Sequence, residues 1–143
     1  MNLYKQLEQV LLEMELNDFK VLEEKAGFSL LVKLNDSKAF RVYLFVHEKL
    51  KVILITVPSI IKIPEETTDE AVKYIMDLNS NILYGTTFIH KNDETATPRI
   101  AFSHAISMER GETGVLYKEE IIELLHFIAF IHSKINEEFI IEP

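Results

Sequence analysis

The most regular pattern of apolar and polar residues lies between Phe40 and Val57. Apolar residues alternate with other side chains over 40–47, with the period of two that a β-strand requires. The segment 51–57 is rich in β-branched and aliphatic residues, which fit a pleated surface. A short charged break separates the two segments. The pattern therefore predicts two adjacent antiparallel strands in the middle of a sheet.

The two faces of this predicted hairpin differ in character. If the connection holds an even number of residues, one face is purely aliphatic. Its residues are Val42, Leu44, Ile53, Ile55 and Val57. The other face carries Tyr43, Phe45, Val52 and Leu54, together with Arg41 and Thr56. Because a solvated face of an antiparallel sheet should be polar, we expect this second face to be covered, by a helix of the same chain or by a partner.

Periodicity also places the remaining elements. Apolar residues recur at three and four positions, as in an amphipathic helix, over about 3–14, 67–79 and 117–137. Strand patterns occupy 19–24, 28–34, 86–91 and 99–107, in addition to the central pair. Pro58 is expected to end the fourth strand, and Thr67 with Glu70 has the spacing of a capping box. The prediction is one domain over 1–143, an α+β fold in the order α-β-β-β-β-α-β-β-α, with an antiparallel sheet flanked by helices.

The last predicted helix has an apolar surface wider than one contact requires. Phe127 and Phe130 are among the residues that extend its core stripe beyond roughly 100°. We therefore expect this helix to touch more than one surface. Together with the second sheet face, it supplies the candidate interface residues. They are Tyr43, Phe45, Val52, Leu54, Phe127 and Phe130.

Composition and charge exclude several classes of function. The 143-residue chain has a net charge of −8, and its 15 Lys and Arg residues are scattered along it. Binding to a phosphate backbone needs clustered basic residues, so nucleic acid and an anionic membrane are not expected partners. No segment has the apolar length of a signal peptide or a membrane-spanning helix. The chain has no cysteine, which excludes thiolate chemistry, and we expect a cytoplasmic protein.

Motifs that carry chemistry are not found in the sequence. Its 5 histidines do not form a metal-binding pair on one helical face. Glycine-rich phosphate loops and nucleophile elbows are missing as well. The adjacent glutamate pairs cannot act as acid/base dyads, because sequence neighbours point apart on a helix or strand. We therefore predict no catalytic residue, no metal and no cofactor, and a protein that is not an enzyme.

Several short segments resemble the YbjN-like domain family. They are Phe40–Val46 leading into Val52–Thr56, then Ile63–Glu66 before a helix, Leu78-Asn79 followed by Gly85 and Phe88, and Arg99–Phe102 before the last helix. The resemblance covers nearly the whole chain and contains no catalytic signature. It implies an architecture similar to that of type III secretion chaperones. It also implies a non-enzymatic bacterial protein that binds other proteins as a chaperone or regulator.

Two functional hypotheses follow. The first is a protein-interaction module, expected as a homodimer, that binds another protein through the apolar sheet and helix surface. The alternative is a small-ligand-binding or enzymatic α+β domain with a pocket between the last helix and the sheet. A closed pocket lined by His104 and several carboxylates would favour the alternative.

Overall fold

The computed structural model describes residues 2–14, 19–22, 24, 26–34, 38–91, 96–108 and 115–139. The helices are α1 (Leu3–Glu13), α2 (Thr68–Asn79) and α3 (Lys118–Glu138). The strands are β1 (Lys20–Leu22), β2 (Gly27–Lys33), β3 (Ala39–His47), β4 (Val52–Lys62), β5 (Thr86–His90) and β6 (Arg99–Ser107). This order confirms the α+β fold and the element order predicted from the sequence. The sequence also predicts a loop at 109–114 and an apolar tail at 139–141. Residues 109–114, Ile140 and Ile141 lie outside the described residues.

The six strands form one antiparallel sheet in the order β1-β2-β3-β4-β6-β5. In the central hairpin Leu44 lies opposite Ile55 and Phe45 lies opposite Leu54. The connection at 48–51 therefore holds an even number of residues, and the predicted division of the hairpin into two faces is confirmed. A register slip of one residue would have exchanged these faces.

The aliphatic face of the sheet packs against the helices. Leu7 of α1, Ile75 of α2 and Ile128 of α3 belong to the same buried cluster as Leu44 and Ile55. Helix α3 contacts both β4 and α1, which confirms that it touches more than one surface. The opposite, outer face of the hairpin lies outside this cluster. Among the described residues, the helices thus cover one face of the sheet and leave the other open.

Pro58 does not end the fourth strand, contrary to the expectation from the sequence. Strand β4 continues to Lys62 through an irregularity between Val57 and Ile61. The pairing of β4 with β3 stops at Thr56, so Pro58 lies where β4 has a neighbour on one side. Proline lacks the N–H that a ladder needs, and it is tolerated at such edges and bulges.

The predicted capping box at the start of α2 is also wrong. A short 3₁₀ turn, Glu65–Thr67, precedes the helix, and no side-chain hydrogen bond caps it at Thr67. The Thr67 hydroxyl instead donates to the Pro64 carbonyl oxygen, at 2.9 Å. The turn that Pro64 introduces orients the hydroxyl backwards along the chain, away from the first free amides of the helix.

Candidate functional site

The outer face of the central hairpin carries four large side chains that do not join the core. We call Tyr43, Phe45, Val52 and Leu54 the outer cluster. Each of the four is half-buried, and none belongs to the core or packs against it. The rings of Tyr43 and Phe45 are nearly parallel, with centroids 6.2 Å apart and 5° between their planes. The cluster is therefore an ordered apolar surface that no described helix covers.

Small residues flank the outer cluster on both neighbouring strands. The residues paired with it are Gly27 and Ser29 on β2, and Ala105 and Ser107 on β6. Such short side chains cannot shield larger neighbours across the strand. The outer cluster consequently forms a ridge two strands wide, and the small residues on each side of it leave the surface lower there. A ridge of this kind offers apolar area to a partner without rearrangement of the sheet.

Basic residues lie on the same face as the ridge, mostly toward the end of the sheet away from the 48–51 connection. By strand register, five Lys or Arg side chains belong to the same face of the sheet: Lys20, Lys33, Arg41, Lys62 and Arg99. No strand position on this face holds Asp or Glu in the described chain. Two members are held in place, since Arg41 Nη1 donates to Ser29 Oγ at 2.7 Å and Arg99 Nη1 donates to Ser59 Oγ at 3.0 Å. We call these five residues the basic frame.

The sequence analysis does not identify the basic frame, because its members lie far apart along the chain. The net charge of −8 also suggested a protein without a basic surface. Each member nevertheless occupies an outward position of its strand. The alternation pattern combined with the strand order would have located the frame, but the strand order comes from the tertiary fold. The structure therefore places a basic, apolar surface on an acidic protein.

The two candidate residues of α3 do not join the outer cluster. Phe127 is half-buried and packs edge-on against Tyr84, with ring centroids 5.3 Å apart, and near Phe102 at 6.4 Å. It therefore contributes to packing within the chain. Phe130 is 58% exposed on α3, and Lys134 Nζ lies 5.8 Å from its ring centroid. The sheet and helix candidates thus occupy separate surfaces of the molecule.

Two clefts lie between α3 and the sheet. The first, of about 550 Å³, is mainly apolar and runs beside β2. The second, of about 480 Å³, is lined by Tyr84, His104, Glu120 and Glu123 among others. It contains the histidine and the carboxylates that the ligand-binding alternative requires, but it is open to solvent. No group of three histidine or acidic residues in the described chain could hold a metal ion.

The shifted pKa values among the described residues belong to groups away from the outer cluster. Burial, followed by the charge of Lys38, lowers the pKa of His132 below its ordinary value. The His132 ring stacks on Phe40 with centroids 4.8 Å apart, and its Nδ1 lies 3.0 Å from Asn136 Nδ2. Burial and then Glu138 raise the pKa of Tyr74. Neither of these two groups belongs to the outer cluster.

Comparisons with known proteins agree with the fold. No protein-family model and no curated protein sequence matches the chain. The crystal structure of YbjN from E. coli, a suggested transcription regulator, is similar with a TM-score of 0.71 and 13% sequence identity. The similarity covers 96% of each chain. None of the helices among the described residues has the length and hydropathy needed to cross a membrane. The chain therefore has a YbjN-like α+β fold.

Proposed function

We propose that this protein is a non-enzymatic protein-interaction module, chaperone-like or regulatory, that binds another protein through the outer cluster. The observation that carries the proposal is the half-buried apolar ridge, outside the core, on a sheet face that the described helices leave open. Aromatic and aliphatic side chains outside the core are the usual centre of a protein interface. A ridge that served only the stability of the chain would be expected to join the core cluster.

The basic frame determines the character of the partner. An apolar centre with a charged rim is typical of protein interfaces, in which the rim selects partners by complementary charge. A border with Lys and Arg, and without Asp or Glu at the described strand positions, favours an acidic partner. Two copies stacked face to face would bring their basic frames together, which disfavours that arrangement. We therefore propose an acidic surface of a different protein as the partner, with a homodimer as one outcome of the test.

A photo-crosslinking amino acid at position 45 tests this proposal in the expressing cell. The matched control places the same group at position 130, which is also aromatic but is exposed on α3. We expect discrete crosslinked species from position 45 that the control does not produce. An adduct of twice the 16.6 kDa chain mass would identify a homodimer. Identical adducts from both positions, or none from position 45, would contradict the proposal.

The substitution Phe45→Asp provides a second measurement. Aspartate removes the aromatic centre of the ridge. In this variant the photo-crosslinking group is placed at position 43 instead of position 45. We expect its crosslinked species to disappear while the circular dichroism spectrum is unchanged. Phe130→Asp is the matched control and should leave the position-43 adducts intact. If Phe45→Asp folds and its adducts persist, the outer cluster does not form the interface.

A second candidate function is the binding of a small ligand in the cleft at His104. The observation in its favour is that Tyr84, His104, Glu120 and Glu123 line one opening between α3 and β6. Binding there would be detected by a rise in melting temperature in a screen of small metabolites. The rise should be lost in His104→Ala. A screen in which no compound distinguishes the variant from the native protein would argue against this function.

A further inference from the structure

The side chain of Arg41 extends toward the outer cluster. Its register partner on β2 is Leu31, yet its Nη1 donates to the hydroxyl of Ser29 at 2.7 Å. Ser29 lies two residues nearer the 48–51 connection and is the register partner of Tyr43. Two residues correspond to about 7 Å along a strand. The hydrogen bond therefore brings the guanidinium level with Tyr43, a member of the outer cluster.

This guanidinium is held in place, but its charge is not paired within the described chain. Ser29 is 3% exposed and Arg41 is half-buried, so their hydrogen bond is sheltered from water. No ion pair between described residues includes Arg41. A guanidinium carries five N–H donors in one plane, and a carboxylate can accept two of them in parallel. Arg41 is thus a fixed cation with the geometry to bind a carboxylate.

The distance from the ridge decides what a partner must offer to Arg41. A standard interface covers about 800 Å² on each protein, which corresponds to a disc of roughly 16 Å radius. Ser29 lies about 8 Å from Phe45 by strand spacing, one strand across and two residues along. A partner that covers Phe45 therefore also removes water from the guanidinium. Because a desolvated charge without an acceptor is costly, such a partner binds well only if it supplies a carboxylate.

Arg99 has the same chemistry at a greater distance from the ridge. It is also half-buried, and its Nη1 donates to a serine hydroxyl, that of Ser59, at 3.0 Å. It lies six residues along β6 from Ala105, the register partner of Leu54, which is about 20 Å. An interface centred on the outer cluster leaves Arg99 at its border, where water screens the charge. The two arginines therefore differ in position and not in kind.

We propose that Arg41 selects the partner of the outer cluster by binding the carboxylate of an Asp or Glu side chain beside Ser29. The same partner places an apolar side chain on Tyr43 and Phe45, about 7 Å from that carboxylate. Two residues of an extended chain span this distance. An apolar surface without the acidic group is rejected, because it leaves the arginine desolvated and unpaired. The inference rests on the proposed function, since it concerns the same surface, and it specifies the two groups that the partner presents.

Three N-acetylated tripeptide amides test this pairing. The probe is Glu-Ala-Phe, while Gln-Ala-Phe removes the charge and Glu-Ala-Ala removes the aromatic ring. Binding is followed by NMR through the arginine Nε–Hε resonances of the ¹⁵N-labelled protein. We expect Glu-Ala-Phe to shift the Arg41 resonance saturably, to leave the Arg99 resonance in place, and to bind at least fivefold more tightly than either control. Equal binding of Glu-Ala-Phe and Gln-Ala-Phe, or no saturable shift of the Arg41 resonance, would overturn the proposal.

Two variants that conserve charge separate carboxylate recognition from general attraction. Arg41→Lys keeps the positive charge but removes the planar set of donors, and it should bind Glu-Ala-Phe at least fivefold more weakly. Arg99→Lys is the matched control, and its affinity should change by less than twofold. Equal losses in the two variants would show that the peptide responds only to net charge, which would contradict a selective role for Arg41.

The same variants distinguish this inference from the proposed function in the expressing cell. With the photo-crosslinking group at position 45, Arg41→Lys should lower the yield of adducts at least threefold, and Arg99→Lys should not. Adducts at full yield in Arg41→Lys would overturn the role of Arg41 and leave the outer cluster as the interface. If position 45 gives no adducts even in the native protein, the proposed function fails, and the peptide titration decides whether Arg41 binds a carboxylate.

Discussion

The side chain of Asn79 should be among the most important polar groups for the stability of this fold. It lies at the end of α2 and makes three hydrogen bonds to Thr87 of the edge strand β5. Its Nδ2 donates to the Thr87 carbonyl oxygen at 2.9 Å, while its Oδ1 accepts from the Thr87 amide at 2.8 Å and from the Thr87 hydroxyl at 2.7 Å. Thr87 is 2% exposed, so water cannot easily replace these bonds.

The change Asn79→Ala allows the magnitude to be estimated. Three hydrogen bonds at about 1 kcal/mol each give roughly 3 kcal/mol, since the buried Thr87 groups lose their partners. The better helix propensity of alanine offsets about 0.5 kcal/mol of this loss of stability. We therefore expect the free energy of unfolding to fall by about 2 to 3 kcal/mol. With a urea dependence of about 2 kcal/mol per molar, the unfolding midpoint should fall by roughly 1 to 1.5 M.

Urea unfolding followed by circular dichroism measures this effect, and Asn81→Ala is the matched control. The Asn81 amide also donates to a backbone carbonyl, that of Asp77 at 2.8 Å, but the residue is exposed. We expect the control to cost less than about 0.5 kcal/mol, as surface substitutions usually do. If the two variants lose equal stability, the bonds to Thr87 do not hold β5 against α2, and the reasoning is refuted.

Two more predictions concern the core. Gly85 has φ +73°, and a Cβ there would overlap the Phe102 ring and the Ser103 carbonyl oxygen. Gly85→Ala should therefore lower the free energy of unfolding by more than about 2 kcal/mol in the urea assay. A variant as stable as the native protein would contradict this. Burial and then Lys38 lower the pKa of His132 in the folded protein. As pH falls below about 6.5, the histidine therefore binds a proton in the unfolded chain before it does so in the folded protein. The free energy of unfolding then falls until the pH reaches the folded-state pKa. His132→Phe should lose less stability than the native protein between pH 7 and pH 5. A variant that loses as much stability as the native protein over this range would show that His132 does not cause the pH dependence.

Asn79 and Gly85 also give a physical reason for one of the segments that resemble the YbjN-like family. Leu78 is buried in the core, Asn79 bonds Thr87, and Gly85 allows the chain to pass close to Phe102 as it enters β5. These residues maintain the contact between α2 and the edge of the sheet. The resemblance therefore reflects how the fold is assembled, and it carries no information about a catalytic site.

Much of the fold could be predicted because local patterns were strong. The alternation over 40–47 and the aliphatic segment 51–57 required two strands, and the structure added the even-numbered connection that sets their register. Local patterns failed where an effect depended on neighbours distant in sequence. Pro58 continues a strand because β3 is no longer paired with β4 there. The Thr67 hydroxyl bonds Pro64 because a 3₁₀ turn intervenes.

The candidate site was predicted in part, for a related reason. The apolar pattern located Tyr43, Phe45, Val52 and Leu54 on one face but could not decide whether a helix covered them. It also could not distinguish Phe127, which packs within the chain, from Phe130, which is exposed. Both lie on the over-wide apolar surface of α3, and their environments depend on where Tyr84 and the sheet meet the helix.

The sequence by itself determined the elements, their order and the two faces of each central strand, because side-chain periodicity and burial are coupled along a single strand or helix. The tertiary structure alone decided three features that combine distant segments. It placed all three helices against the aliphatic face, assembled the basic frame from five strands, and formed a cleft between α3 and the end of β2. Each of these depends on strand order and on helix placement, which result from packing between segments far apart in the chain.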